Sequence, residues 1–439
     1  TQLALFELQV RRSEDLAFAV GLRGRYLLAR RDGDSPDAAA ARQELDITPT
    51  AAYADVGLGG GAHLRLGWQT SHLGRFDVLS ATNVLGVYDL RSGPATLPEA
   101  SDVAQPAMRL DWELGESSAL QLRYLPVFQG HLVHTAEGDY ALLPSTEASV
   151  EAALGTATDP QAAADRAALL RRTLSRSGQA RLAQSGLDAF APDPTLKQPQ
   201  AAARLTFRGA AAEGALTAAT ALERLPTIEV SPVLLLALAD PSDANLDALA
   251  MVREPIAVEH GRFAVFSADG ALDVGPIQLG AEGAFVVGRT LFAAQTGQTP
   301  VAAKSNLAHL GLRLEFVQGE DWVLALESMA QYTLQEPDDP ARAWMFLTEG
   351  RAMLAAIGFL GFSPAGTGMT LELAGGVLSG PSYLVLPRAE FGISDGLAAE
   401  LGALVMGGER PGMPGDPAIA LGGLYADVDQ VFVGLRWLP

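Results

Sequence analysis

A strict alternation of apolar and charged residues runs through Met108-Arg109-Leu110-Asp111-Trp112-Glu113-Leu114. Successive side chains of a β-strand point to opposite faces, so this order places the apolar side chains on one face and the charged ones on the other. On an α-helix, with its period of 3.6 residues, the same order would scatter both kinds around the axis. The stretch therefore predicts a strand that separates an apolar from a polar environment.

The same alternation recurs along the whole chain, in the segments 6–11, 63–69, 120–124, 203–208 and 310–316. A soluble β-sandwich also alternates, with its apolar face turned inward. The strands predicted around these segments are about 9–15 residues long, whereas soluble strands are usually about 5–6 residues long. Strands of about ten residues are typical of barrels that cross a membrane.

The connections between these segments alternate in length as well. Short turns are predicted at 115–117, 209–213, 268–270, 318–321, 363–366 and 394–396, and long connections at 71–104, 129–198, 223–254, 291–304, 336–346 and 409–420. Short periplasmic turns opposite long extracellular loops are typical of outer-membrane proteins. The pattern predicts an all-β fold, a transmembrane antiparallel up-and-down β-barrel of about 16 strands within a range of 14–18. The segment 3–11 would be an odd additional strand.

Composition excludes several other classes of protein. The 439 residues carry a net charge of −20, and an acidic chain is a poor partner for nucleic acid because phosphate contacts need a basic face. No apolar stretch reaches the roughly 20 residues that a membrane-spanning helix requires. The chain has no cysteine, which excludes disulfides and thiolate-bound metals. We predict no cofactor, no metal site and no catalytic residue.

The polar face of the predicted barrel carries charges of both signs. About 16 strands enclose more space than side chains can fill, so water must solvate this face. The guanidinium group of arginine suits carboxylate, sulfate or phosphate groups, and it suits ion pairs within the wall equally well. The residues predicted to line the pore are Arg23, Arg25, Arg65, Arg109, Asp111, Glu113, Arg123, Arg204, Arg208, Arg313, Glu315, Glu327 and Arg351. The prediction is a porin-like channel for passive diffusion or export of small polar or anionic solutes.

Two segments carry a resemblance to known proteins. The first runs from Leu64-Arg65-Leu66-Gly67-Trp68-Gln69 through Gly74, Asp77-Val78 and Asn83-Val84 to Asp89-Leu90-Arg91; the second comprises Ser382-Tyr383-Leu384, Pro387-Arg388 and Ser394-Asp395-Gly396. Together they resemble a family of outer-membrane porin-like proteins that includes alginate-export channels. The chain departs from that family at Leu73-Gly74, where an aromatic–Gly pair is common. The resemblance implies a passive channel without catalytic residues.

The C-terminal strand bears on insertion into the membrane. Gly434 and Trp437 fit the Gly-x-x-aromatic core of the signal that barrel-insertion machinery reads, whereas the terminal Leu-Pro does not. We predict an integral outer-membrane protein of a Gram-negative bacterium, in its mature form after removal of a signal peptide. The predicted partners are outer-membrane lipid, lipopolysaccharide and the insertion machinery. The pattern leaves open whether the chain forms a homo-oligomer or holds a partner protein.

The chain is predicted to form a single barrel over residues 1–439, with two large loops. Loop 129–198 contains an Ala-rich helical run at 161–175 and is predicted to fold over or into the pore, and loop 223–254 contains a helical run opened by Asp240-Pro241-Ser242. Two alternatives to a channel stay open. One is a structural barrel that anchors a surface or periplasmic protein assembly. The other is an outer-membrane hydrolase, for which spacing assigns no Ser–His–acid set.

Overall fold

The computed structural model describes residues 2–13, 15–29, 42–76, 79–89, 102–132, 198–224, 227–240, 242–252, 256–295, 301–318, 321–334, 342–345, 352–364, 367–378, 382–394, 397–408 and 430–437. Over these ranges the chain forms twenty strands and two helices. The strands are β1 (Gln2–Ser13), β2 (Leu16–Ala29), β3 (Arg42–Gly59), β4 (Ala62–Gln69), β5 (Gln105–Gly115), β6 (Ser118–Leu125), β7 (Gln200–Arg208), β8 (Ala212–Leu222), β9 (Thr227–Val230), β10 (Ile256–Glu259), β11 (Arg262–Val274), β12 (Ile277–Gln295), β13 (Val301–Gln318), β14 (Trp322–Thr333), β15 (Arg342–Met345), β16 (Ala352–Phe362), β17 (Met369–Leu378), β18 (Ser382–Ser394), β19 (Leu397–Gly408) and β20 (Gln430–Trp437). The helices are α1 (Pro232–Ala239) and α2 (Asp243–Met251).

The long strands form one antiparallel meander in which each strand pairs with the next. The ladder runs from β1 to β8, passes to β11, continues to β14, and goes on from β16 to β20. Strands β9 and β10 pair with each other in a separate sheet, and β15 pairs with one end of β12. Setting these three aside leaves 17 of the 20 described strands in the wall.

The two edges of this sheet lie side by side. Because strand directions alternate through 17 strands, β1 and β20 run in the same direction. Their Cα atoms approach within 8 Å, although the described residues show no hydrogen-bonded ladder between them. The antiparallel all-β barrel is confirmed, with a strand number inside the predicted range of 14–18. The segment 3–11 is strand β1, the odd member of the wall.

The structure changes the position of one predicted turn and the length of one predicted connection. Strand β11 continues through 268–270, where Gly270 pairs with both Gly214 and Ala281. The chain turns instead at Gly275-Pro276, where Gly275 has a φ of +64°, a conformation that glycine adopts without steric cost. The predicted connection 291–304 is shorter, because β12 extends to Gln295 and β13 begins at Val301. In the first case the sequence Ala268-Asp269-Gly270 suggests a turn, but it lies within a strand that is paired on both sides. In the second case both strands extend into the predicted connection.

The two faces of the wall differ as the alternation predicts. On β13, Leu310 and Leu312 are 54% and 53% exposed on the outer face, whereas His309 on the inner face is buried. The outer face of the other long strands is apolar as well, as is typical of barrels surrounded by hydrocarbon. None of the described helices is long and apolar enough to cross a membrane.

The loop helices agree with the sequence where they can be compared. Helix α2 corresponds to the helical run predicted after Asp240-Pro241-Ser242 in loop 223–254. Helix α1 precedes it and begins at Pro232, where the Ser231 hydroxyl accepts a hydrogen bond from the Val233 N–H at 3.3 Å. The predicted helical run 161–175, and residues 133–197 of loop 129–198 as a whole, lie outside the described residues. The placement of that loop over or into the pore stays a prediction.

Candidate functional site in the barrel interior

The connection 70–104 between β4 and β5 folds into the barrel, and we call it the inner loop. Its described residues are 70–76, 79–89 and 102–104. Leu73 and Leu85 are almost fully buried. They pack against inward-facing side chains of β5–β8 and β11–β13, namely Ala107, Leu125, Ala202, Ala219, Ala221, Phe263, Val265, Ala284, Val286 and Leu307. The sequence predicted this connection to be external, and the structure corrects that prediction because its apolar side chains are covered by the inner face of the wall.

Two carboxylates of the wall hold the tip of the inner loop. Glu282 of β12 accepts hydrogen bonds from the Ser80 hydroxyl at 2.9 and 3.1 Å, and from the backbone N–H groups of Ala81 at 2.8 Å and Thr82 at 3.2 Å. A carboxylate that accepts several bonds can be buried at tolerable cost, and Glu282 is only 1% exposed. The N–H of Leu79 donates to Glu327 of β14 at 3.3 Å. The predicted lumen residue Glu327 therefore also holds the loop.

Two neighbouring residues attach the loop to the wall beside this point. Arg75 pairs with Glu213 of β8, and its Nε lies 3.6 Å from Asp269 of β11. The ring of Phe76 lies against the wall at Gly311 of β13, where a Cβ atom would overlap the ring. Gly311 thus leaves space on the wall for the Phe76 ring, and Glu213 and Asp269 supply the carboxylates that face Arg75.

The returning half of the inner loop is held by Arg23. This arginine of β2 is 1% exposed and pairs with Asp89 at 3.1 Å, and it also donates to the carbonyl of Asp102 at 3.2 Å. Within the loop, His72 Nε2 lies 2.6 Å from the Asp102 carboxylate. Arg23, predicted to line the pore, is therefore buried under the loop rather than open to the interior.

Three of the predicted arginines form a row across neighbouring strands. Arg65 of β4 lies opposite Arg109 of β5, which lies opposite Arg123 of β6. We call these three residues the arginine row. Like charges placed opposite each other in a sheet repel. Asp55 pairs with Arg65 at 2.6 Å and Asp111 with Arg109 at 2.7 Å.

Arg123 differs from the other members of the row. Its Nε donates to Gln121 at 2.9 Å, and among the described residues no carboxylate lies within ion-pair distance of it. Two carboxylates therefore face three guanidinium groups. The row keeps an excess positive charge inside the barrel.

The other predicted pore residues are divided among ion pairs, the rim and undescribed positions. Arg204 forms a bidentate pair with Asp269 at 2.6 and 2.8 Å. Arg313 bridges Glu327 at 3.0 Å and Glu315 at 2.8 Å. Glu113 and Arg208 are exposed near the short turns that follow β5 and β7. The structure describes only the backbone of Arg25 in β2 and of Gly434 and Trp437 in β20, and Arg351 lies outside the described residues.

A further ion cluster lies on β17–β19 around Arg388, which belongs to the second resembling segment, and the sequence did not predict that its members converge. Arg388 pairs with Glu372 at 3.0 Å, Glu390 at 3.2 Å and Glu400 at 2.7 Å. Three carboxylates around one guanidinium leave an excess negative charge on this part of the wall. Alternation alone indicates that these residues face inward, but their convergence depends on the strand register.

The interior thus combines a packed loop with charged walls. Among the described residues, no group of three or more His, Asp or Glu side chains is arranged to hold a metal ion. The arginine row and the carboxylate-rich cluster can attract ions of opposite sign. Charged side chains of both signs are therefore held on the inner face of the described wall.

No family model and no curated protein matches the sequence. Among solved structures, OccAB1 of Acinetobacter baumannii matches with a TM-score of 0.45 and 6% identity over 99% of this chain and 94% of that chain. OmpF of Salmonella typhi matches with a TM-score of 0.42 and 8% identity, over 99% and 89%. The outer membrane channel DcaP of Acinetobacter baumannii matches with 0.39 and 9%, over 88% and 79%.

Proposed function

We propose that this chain is an outer-membrane channel through which small polar or anionic solutes diffuse. The observation that carries the proposal is an inner loop bonded to the inside of a barrel whose wall keeps partly exposed charges. Arg65 and Arg109 are 27% and 28% exposed at their side chains, so water and solutes reach them. Such a loop narrows the passage and sets a size limit, while the charged wall sets ion preference.

The proposed preference for anions follows from the arginine row. A carboxylate or phosphate group can accept two parallel hydrogen bonds from one guanidinium group. Arg123 has no carboxylate partner among the described residues but is only 7% exposed, so it adds positive charge to the site while Arg65 and Arg109 are the members that a passing anion can contact. Arg65 and Arg109 would exchange Asp55 and Asp111 for the solute and then return to them. Such exchange permits binding that is weak enough for release.

The environment of the channel is part of the same proposal. The apolar outer face matches the hydrocarbon of a bilayer. We propose lipid and lipopolysaccharide as its surroundings, and insertion machinery that reads the strand bearing Gly434 and Trp437. The narrower resemblance to alginate-export channels also stays a proposal, supported by the motifs around Arg65 and Arg388. We propose no enzymatic activity.

Reconstitution into planar lipid bilayers tests the channel. Protein refolded in detergent, and shown by a heat-modifiability gel to be folded, is expected to give stepwise conductance. Folded protein that inserts without conductance steps would overturn the proposal.

A structural barrel is the second candidate, and the apolar core around Leu73 and Leu85 favours it because this core occupies part of the interior. A partner protein that copurifies in fixed stoichiometry, together with absent conductance, would establish it. A stepwise current would exclude it as the sole function.

A further inference from the structure

Arg224 lies just beyond the end of β8, where loop 223–254 begins. Its guanidinium group donates to three backbone carbonyls, those of Gln129 at 2.5 Å, Leu85 at 2.9 Å and Val84 at 3.4 Å. It also lies 5.6 Å from the centre of the Phe128 ring. Val84 and Leu85 belong to the inner loop, and Gln129 opens loop 129–198. One side chain therefore joins three segments that are far apart in the sequence.

The buried positive charge of Arg224 is not balanced by an ion pair among the described residues. Buried charges are usually paired with an opposite charge, yet among the described residues no carboxylate lies within ion-pair distance of this guanidinium. Burial lowers the pKa of Arg224 to about 9. An apolar side chain would fill the space without this penalty. The position therefore requires several donors in one plane, which arginine alone supplies.

Backbone hydrogen bonds extend the same junction. The carbonyl of Arg224 accepts from the N–H of His131 at 3.0 Å, and the N–H of Tyr88 donates to His131 Nδ1 at 3.0 Å. The N–H of Leu132 donates to the carbonyl of Tyr88 at 2.9 Å. The start of loop 129–198, the start of loop 223–254 and the middle of the inner loop are thus one hydrogen-bonded unit.

We propose that Arg224 is the positioning residue that couples these two loops to the inner loop and so fixes the width of the passage. The inference rests on the proposed channel function, because width matters only where solutes pass. Glu282 holds the turn 80–82 from the wall, whereas Arg224 holds residues 84 and 85 from the loops. A displacement of either loop would move the inner loop through this side chain.

Cysteine labelling tests the junction without any need for conductance. The chain has no cysteine, so Val84→Cys gives a single label site next to the bonds from Arg224. Adding Arg224→Gln in detergent-folded protein is expected to speed reaction with a charged thiol reagent at least about tenfold, since several bonds to a charged donor are lost. The matched control is Arg12→Gln, which removes an exposed arginine near the end of β1 and should leave the rate unchanged. Equal rates with and without Arg224→Gln would overturn the proposal.

A second label site and bilayer recordings separate positioning from general loosening. Leu404→Cys lies on β19 in a separate buried cluster and should stay protected in Arg224→Gln; a rate increase there would indicate loss of the fold and contradict the local role. In bilayers, Arg224→Gln is expected to change step size and closing frequency at an unchanged reversal potential, with partial rescue by Arg224→Lys. A shifted reversal potential with unchanged steps would mean that Arg224 acts as a lumen charge and would overturn the positioning role. Absent conductance in the unmodified protein would refute the channel alone, because labelling still tests the junction.

Discussion

The ring of Phe76 packs against Gly311, and this contact is possible only because glycine has no Cβ atom. The inner face of β13 carries His309, Arg313 and Glu315 on either side of this glycine. A Cβ atom at Gly311 would overlap Cε2 of Phe76 and lie 2.9 Å from Cδ2. A methyl group at this position therefore competes with the ring for the same volume.

We expect Gly311→Ala to reduce the free energy of unfolding by about 1–3 kcal/mol, the usual range for an overpacked contact. Gly283→Ala is the matched control, because a Cβ there meets nothing within 4 Å. It should be neutral or raise stability by up to about 1 kcal/mol, as glycine replacement in a compatible conformation does. Urea unfolding in detergent measures both variants. Equal stability of the two would mean that Phe76 does not lie at Gly311.

The arginine row predicts a change of ion selectivity. Reversing Arg109 and Arg123 to glutamate alters the wall by four unit charges. A unit charge at about 8 Å in water changes the energy of a monovalent ion by about 0.5 kcal/mol, and 0.1 M salt screens roughly half of this. The sum is about 1 kcal/mol, or roughly a fivefold change in the occupancy of each ion. The reversal potential in a salt gradient should shift toward cations.

Arg262→Glu makes the same kind of charge change on the outer face of β11 and serves as the control. It should leave the reversal potential where it was. If the control shifts it as much as the double variant, the assignment of the arginine row to the passage is wrong.

Among the strands and loops, the inner loop behaves as part of the core. Its residues Leu73, Phe76, Leu85 and Val87 are each at most 4% exposed. Its backbone bonds go to Glu282, Arg224 and His131. An extracellular loop would be solvated, and apolar residues at this density are unusual there. The density of apolar residues in 70–104 could have indicated a buried loop, whereas the longer loop 129–198 was predicted to fold over or into the pore.

The contact between the inner loop and loop 129–198 should weaken in acid. Burial, together with the positive charges of Arg224 and Arg289, lowers the pKa of His131 to about 3, against about 6.5 when unfolded. Between these two pKa values the unfolded state binds a proton at His131, whereas the folded state keeps the ring neutral. The contribution of His131 to stability is therefore fully present above pH 6.5 and is lost as the pH falls toward 3, by at most about 1.4 kcal/mol per pH unit.

His131→Asn keeps a side-chain acceptor for the Tyr88 N–H but does not titrate. Urea midpoints of this variant and of the unmodified protein, compared at pH 7 and pH 5, give the contribution of His131. We expect a smaller loss on acidification in the variant. An identical loss in both proteins would show that other groups are responsible.

In the complete barrel, the wall and the inner loop are separable. The ladder from β1 to β20 contains no residue of 70–104. Replacing residues 73–88 by a short Gly-Ser linker should therefore leave a heat-modifiable barrel. It should raise single-channel conductance and the size limit for solutes in liposome swelling, because the narrowing element is gone. Unchanged conductance would place the narrowest point outside the inner loop.

The order of residues along the chain was sufficient to establish the wall. Alternation around Met108–Leu114 and its repeats fixes which face each residue takes, because a strand has a period of two and a shift by one residue would turn apolar side chains into the interior. For the same reason Arg65, Arg109 and Arg123 could be assigned to the inner face without a structure. The odd strand β1 was visible in the same way.

Which groups these inward-facing residues contact could be learned only from the tertiary structure. That Arg109 lies opposite Arg123, that Arg388 gathers Glu372, Glu390 and Glu400, and that Arg23 is buried by Asp89 depend on strand register and on contacts between distant segments. Local periodicity carries no information on such contacts, since they arise when the sheet closes around a loop. The polar face follows from the alternation, whereas the division of that face into open wall and loop attachment is set by where the chain from 70 to 104 folds.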